Sequence, residues 1–256
     1  MTPLLEVRDV TVRFGGFTAV KNMSLVVRRG EVVGVIGPNG AGKSTLINAI
    51  FGVYRPAAGQ ILLNGRDLDR LSSDRRARLG MARTFQNLEL FGSMTVRENI
   101  LTHADVNCGV GLATLRSSSR SMRRERDAKV AEVIETLGLS GLESRTVEDL
   151  GYAERKLVEF ARAVVADVDI VLLDEPTAGV AIEQRREVIS RIQSYLRLRD
   201  VASIVVEHDM SVIRTLCERV YVMDSGQLIA EGDFESVVAE PRVREAYLGL
   251  TYTASA

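Results

Sequence analysis

Between residues 5 and 36 the chain alternates apolar and polar positions, with Leu5, Val7, Val10 and Val12, then Leu25 and Val27, and turn residues at Gly15-Gly16 and Arg29-Gly30. Alternation with a period of two, bounded by turns, predicts short strands of an antiparallel edge. Val32-Val33-Gly34-Val35-Ile36 is a continuous apolar run that ends in Gly-rich sequence, and Leu46, Ile47, Ala49 and Ile50 follow at helical spacing. This predicts a buried strand, a loop and a helix. Residues 170–173 and 203–206 read as two further buried strands. Between them, over 183–199, Val188, Ile189, Ile192, Tyr195 and Leu196 share one helical face, so strand, helix and strand recur in the order of a parallel sheet with covering helices.

The middle of the chain has a different character. From about 93 to 150 there is no convincing strand pattern, while Val130, Val133, Ile134 and Leu137 mark an amphipathic helix, so a helical subdomain is expected. Its leading part, Ser117-Ser118-Ser119-Arg120-Ser121-Met122-Arg123-Arg124, is polar and basic. That segment, about 116–126, reads as a solvated loop, with a contact surface as the alternative. No internal repeat or low-complexity tract is present.

Composition narrows the classes. The chain has 256 residues, 46% of them hydrophobic and 26% charged, which is enough to bury a continuous core and argues against global disorder. A net charge of -1, from 33 Lys+Arg and 34 Asp+Glu, supplies no field to hold a polyanion, so no nucleic-acid partner is expected. Cys108 and Cys217 form no metal-ligand or disulfide spacing and read as thiols in a reducing compartment. Met1-Thr2-Pro3-Leu4-Leu5-Glu6-Val7-Arg8 places charges where an export signal needs an apolar stretch, and no apolar run nears the roughly 18–20 residues that span a bilayer. A cytoplasmic chain that docks on a membrane protein remains compatible with all of this.

Candidate chemistry is concentrated at two places. Gly37-Pro38-Asn39-Gly40-Ala41-Gly42-Lys43-Ser44, with Thr45 next, fits the phosphate-loop pattern and stands between the predicted strand and helix. Glycines let backbone N–H groups turn around a β-phosphate, the helix N-terminus adds its positive end, Lys43 supplies a charge for the β- and γ-phosphates, and the Ser44 hydroxyl suits Mg²⁺. Downstream, Ile170-Val171-Leu172-Leu173 ends in Asp174-Glu175. A strand end there would offer Asp174 to Mg²⁺ and Glu175 to the attacking water.

With these motifs in order, the chain resembles the ATP-binding cassette (ABC) ATPases over nearly its whole length. The resemblance implies an α/β fold: a P-loop NTPase of ABC type with a mixed sheet core, an antiparallel β edge and an inserted helical subdomain. One cassette over 1–256 would comprise a RecA-like core at about 1–92 and 151–235, the helical part at about 93–150 and a C-terminal extension at about 236–256. It implies that Phe14 stacks on adenine, that Gln86 in Arg83-Thr84-Phe85-Gln86-Asn87 senses Mg²⁺ and the γ-phosphate, and that His208 in Val206-Glu207-His208-Asp209 contacts the γ-phosphate. ATP and Mg²⁺ are the implied cofactors. Within the family the wording is most similar to importers of branched-chain amino acids, or of amides and urea. It is carried by Phe14-Gly15-Gly16, by Ala82-Arg83-Thr84-Phe85-Gln86-Asn87 with Leu90-Phe91, by Met94-Thr95-Val96-Arg97-Glu98-Asn99, by Glu207-His208-Asp209-Met210, and by the tail from Gly226 to Gly249.

Family members hold ATP between two head-to-tail subunits, one supplying the phosphate loop and the other a signature such as Leu-Ser-Gly-Gly-Gln. Here the matching stretch is Leu150-Gly151-Tyr152-Ala153-Glu154, lacking the serine at Gly151 and the glycine at Ala153. Ala181 stands where relatives carry an Asn or Asp that reaches across the dimer. Both losses fall on surfaces offered to a partner, while the chain's own phosphate loop, Asp174, Glu175 and His208 are intact. The expectation is therefore an Mg-dependent ATPase that is weak in isolation, paired with a second ABC ATPase subunit of normal signature, a homodimer being the alternative. It would be peripheral on the cytoplasmic face of the membrane, against two permease subunits, with an extracytoplasmic binding protein acting indirectly. Leu88, Leu90 and Phe91 are candidate permease contacts. The rival readings are a non-transport ABC ATPase and a nucleotide-binding subunit with negligible turnover.

Overall fold

The computed structural model describes residues 3–84, 88–104 and 120–248. In chain order the elements are β1 (Leu5–Phe14), β2 (Phe17–Val27), β3 (Val32–Ile36), α1 (Lys43–Phe51), β4 (Ala58–Leu63), β5 (Arg66–Asp67), α2 (Ser73–Ala77) and β6 (Met81–Arg83). They continue with α3 (Val96–Leu101), α4 (Arg120–Thr136), a 3-10 turn (Val147–Asp149), α5 (Tyr152–Val164), β7 (Ile170–Asp174), α6 (Ile182–Leu198) and β8 (Ala202–Val206). Last come α7 (Met210–Leu216), β9 (Arg219–Asp224), β10 (Gln227–Gly232), α8 (Phe234–Ala239) and α9 (Pro241–Leu248). The chain divides into two compact units, residues 1–73 with 202–256, and residues 74–201.

In the first unit the alternating N-terminal sequence forms two long antiparallel strands of 10 and 11 residues rather than the short ones predicted. The alternation is broken where Asp9 and Asn22 take positive φ values of 48° and 50° and the register of β1 against β2 shifts. Such bulges absorb extra residues without ending the strand. With β4 and β5 these strands make a sheet of order β2-β1-β4-β5. The apolar run of β3 lies between β8 and β9, parallel to both, and β10 returns antiparallel on β9, so this unit alone contains a mixed sheet. All five β3 residues are buried, as a strand flanked on both sides requires. Leu46, Ile47 and Ile50 of α1 are fully buried, each contributing on the order of 1.5–3 kcal/mol relative to exposure. Arg219 ties the two sheets together, donating to the Val26 carbonyl at 2.7 Å and pairing with Glu31 at 2.9 Å.

The second unit is mainly helical around the parallel pair β6 and β7. Thr95 and Glu98 start α3 with a reciprocal cap: the Glu98 amide donates to the Thr95 hydroxyl at 3.2 Å, and the Thr95 amide donates to the Glu98 carboxylate at 2.8 Å. The Thr95 amide, and the Thr95 hydroxyl donating to the same carboxylate oxygen at 2.9 Å, hold the Glu98 carboxyl below its usual range. As predicted, Val130, Val133 and Ile134 are the buried face of a helix, α4, while Leu137, also buried, lies one residue past its end. That helix is described from Arg120, so residues 120–126 of the basic segment are helical rather than a loop, and 116–119 lie outside the described residues. Helices α5 and α6 meet through Phe160 and Tyr195, edge to face with centroids 5.5 Å apart. No helix of the described residues is long and apolar enough to cross a membrane.

Candidate functional site

In the first unit, the residues 37–45 loop leaves the carboxyl end of β3 and runs into α1. Gly42 caps the helix with φ 96°, a left-handed conformation that disfavours a side chain, and a Cβ there would stand 2.5 Å from the Ala19 carbonyl oxygen. Gly40 is also left-handed, at φ 82°, and a Cβ at Gly37 would overlap the Met223 carbonyl. The turn between β9 and β10 supports the loop from beneath: the Gly226 amide donates to the Ala41 carbonyl at 3.1 Å. Lys43 is buried and folds back over the loop, its Nζ donating to the carbonyls of Gly37 at 2.8 Å and Pro38 at 3.0 Å. Asn39, Gly40 and Ser44 are exposed, and Thr45 is half-buried behind them. A loop with exposed N–H groups at a helix N-terminus, and a lysine already directed along it, is suited to binding phosphate.

Beside this loop, β8 pairs with β3 in parallel register, Val206 opposite Val35, so His208 follows the carboxyl end of the neighbouring strand. Open parallel sheets bind ligands at that edge. His208 is exposed, and its amide donates to the buried Glu207 carboxylate at 3.1 Å. Phe14 ends β1, 44% exposed, standing edge to face with Tyr54 at 5.0 Å, while Phe17 is 67% exposed. An exposed ring braced by a second ring fits the stacking role expected of Phe14.

The second unit supplies the acidic pair. Asp174 is the last residue of β7, buried, and bonded to Arg83 of β6 at 2.8 Å. Glu175 is half-buried and has φ 51°, a left-handed backbone uncommon outside glycine. Gln86 lies outside the described residues, with Phe85 and Asn87. The Asp174 carboxylate, within this unit, is a hard oxygen donor of the kind Mg²⁺ takes alongside phosphate oxygens and waters, and the exposed Ser44 hydroxyl is another within the first unit. Among the described residues no cluster of three or more His, Cys, Asp or Glu side chains could hold a metal ion by itself. A single carboxylate at a strand end is a donor that fits a cation carried in with a nucleotide.

The signature stretch starts α5. Leu150 and Ala153 are buried, Gly151 and Tyr152 exposed. The Gly151 amide, at the N-cap, donates to the Glu154 carboxylate at 2.8 Å. The Tyr152 ring lies on Gly179, where a Cβ would be 2.8 Å from ring carbons. Ala181 caps α6 with no side-chain hydrogen bond.

Two relationships were not legible from the motifs: the Arg83 to Asp174 pair, and Tyr247 of α9, 37% exposed, whose hydroxyl is pushed up to about 12 by partial burial against an opposing hydrogen bond from the Gly37 backbone. Tyr247 thus links the C-terminal segment to the start of the phosphate loop.

Comparison with known proteins bears on all of this. Residues 20–178 match the family described as "ABC transporter", and residues 227–250 the one described as "Branched-chain amino acid ATP-binding cassette transporter". The high-affinity branched-chain amino acid transport ATP-binding protein LivG of Salmonella typhimurium is 37% identical over 250 residues, 96% of this chain and 98% of that protein. Its counterpart BraF of Pseudomonas aeruginosa is 36% identical over 251 residues, again 96% and 98% of the two chains. Among solved structures, the ADP conformation of an ATP-binding cassette of an ABC transporter aligns with a TM-score of 0.84 at 30% identity, covering 97% of this chain and 100% of that one. A phosphate loop between β3 and α1, an acidic strand end on β7 and full-length similarity to these cassettes lead to one conclusion: the chain belongs to the ABC transporter ATPases.

Proposed function

We propose that this ATPase powers the import of branched-chain amino acids, or of closely related small polar solutes, as the peripheral subunit on the cytoplasmic face of a membrane complex. The observation that carries the reading is the full-length similarity to LivG and BraF together with the C-terminal match over 227–250. In this reading Lys43, Ser44 and the loop amides hold the phosphates, Phe14 the adenine, Ser44, Asp174 and Gln86 the Mg²⁺, Glu175 orients water, and His208 contacts the γ-phosphate. Phe91, half-exposed, is a candidate contact with the permease subunits. Its backbone is clamped by the buried Asn99, which accepts from the Phe91 amide at 2.9 Å and donates to its carbonyl at 3.0 Å. The Arg162 guanidinium lies 5.9 Å from its ring centroid.

The partner ATPase subunit is a different chain with an intact signature. The features that support this are Gly151, Ala153 and Ala181 on the surfaces lent to a partner, and the Glu154 carboxylate seated at the N-terminus of α5. A lost charge-assisted hydrogen bond is worth about 1.5–3 kcal/mol, and a lost transition-state donor about 10²–10³ in rate. The test of the transport reading is reconstitution with the permease subunits and binding protein of a branched-chain amino acid importer from the same cell. ATP-dependent accumulation of radiolabelled leucine is expected, and co-purification with ribosomes or DNA in place of membrane subunits would refute it.

A further inference from the structure

Arg83 terminates β6 and Asp174 terminates β7, and these parallel strands pair with Arg83 opposite Leu172. Asp174 lies two residues beyond that partner and therefore on the same face. The Arg83 Nη2 atom is 2.8 Å from Asp174 Oδ2, and the two side chains are only 7% and 6% exposed. Thr84 secures the backbone around the pair. Its amide donates to the Leu172 carbonyl at 2.9 Å, and its hydroxyl accepts from the Asp174 amide at 3.4 Å. A guanidinium is a rigid planar donor, so contact with one carboxylate oxygen restricts the rotation of the whole group, which a flexible ammonium would do less well.

Mg²⁺ that comes with a nucleotide demands near-ideal octahedral geometry and takes only one or two carboxylates, so the direction in which Asp174 presents its carboxylate matters. We propose that Arg83 is a positioning residue for Asp174: by gripping Oδ2 it orients the carboxylate for Mg²⁺ and so sets how strongly the cation strengthens nucleotide binding. Arg83 touches neither phosphate nor water in this scheme and acts only through its neighbour. The inference rests on Asp174 as the metal residue.

The test is calorimetric titration of the full-length protein with a non-hydrolysable ATP analogue, once with Mg²⁺ and once with EDTA. Arg83→Met is expected to weaken binding in Mg²⁺ by about 10–100-fold, as loss of an outer partner of a metal ligand does, and to leave binding in EDTA unchanged. Arg83→Lys, which keeps a buried cation beside Asp174, should fall between, and it carries the same comparison if the methionine variant does not fold. Equal weakening in both conditions would overturn the proposal, because the pair would then serve only the fold. Unchanged or tighter binding in Mg²⁺ would also overturn it, the latter showing that the guanidinium competes with the cation. Asp174→Asn separates the two layers: if that variant keeps full Mg²⁺ dependence, it is the metal role of Asp174 that fails.

Discussion

The Gly151 amide donates to the Glu154 carboxylate at 2.8 Å, so α5 begins with an anion of its own already seated on the first turn. The first amides of a helix have no partner within it, and its N-terminus carries a partial positive charge. Both are what a phosphate from a neighbouring subunit would use, and Glu154 takes part of each. Glu154→Gln should therefore raise the ATPase rate of the isolated protein about threefold, the equivalent of roughly 0.7 kcal/mol of helix-end charge. It should also lower thermal stability slightly. A rate that does not change would mean the carboxylate leaves the signature unaffected.

Ala181 starts α6 with nothing to accept the amides of its first turn except the main chain. Replacing alanine at an N-cap by Asp or Asn is worth on the order of 1 kcal/mol. Ala181→Asp is expected to raise Tm by about 2–4 °C for a chain of this size. An unshifted melting curve would show that α6 gains nothing from a side-chain cap.

Tyr152 and Gly179 are coupled by contact. Gly179 has φ 78°, and a Cβ would lie 2.8 Å from the Tyr152 ring. Gly179→Ala should cost about 1–2 kcal/mol from the backbone alone, measured by urea unfolding in a Tyr152→Ala background. In the native background the cost should be larger, because the ring must also move. Equal costs in the two backgrounds would contradict the contact.

His103 gives a pH dependence of known sign. Burial, reinforced by the charge of Arg162, lowers its pKa from the ordinary 6.5. The unfolded chain therefore takes up a proton first as pH falls through about 6.5, and stability declines until the folded form also protonates. His103→Gln should remove that part of the decline in denaturation curves taken between about pH 7.5 and 5.5. Native protein and His103→Gln that decline in parallel would show that His103 is not responsible.

Much of the site could be read directly from local pattern. β3, β7 and β8 are short runs of buried aliphatics, and the phosphate loop must follow one of them, so strand, loop and helix appear in the sequence together. The length of β1 and β2 was not legible, because Asp9 and Asn22 interrupt the alternation while the hydrogen-bonded pairing continues past them. The start of α4 was hidden by its charges: its first ten residues bury nothing, and only from Val130 does an apolar face appear. The Arg83 to Asp174 bond spans 91 positions and depends on a three-residue strand, β6, that has no periodicity of its own. Pairings of that kind exist only once the sheet is assembled.

The proposal rests on an asymmetry: the ATP held on this chain's own phosphate loop would be hydrolysed, while the half-site it lends to its partner would be slow. Steady-state ATPase of the assembled transporter, with Glu175→Gln in this chain compared against the equivalent change in the partner ATPase, tests it most directly. Glu175→Gln is expected to remove nearly all turnover, and the partner's change to leave most of it. Turnover that survives Glu175→Gln and disappears with the partner's change would contradict the account.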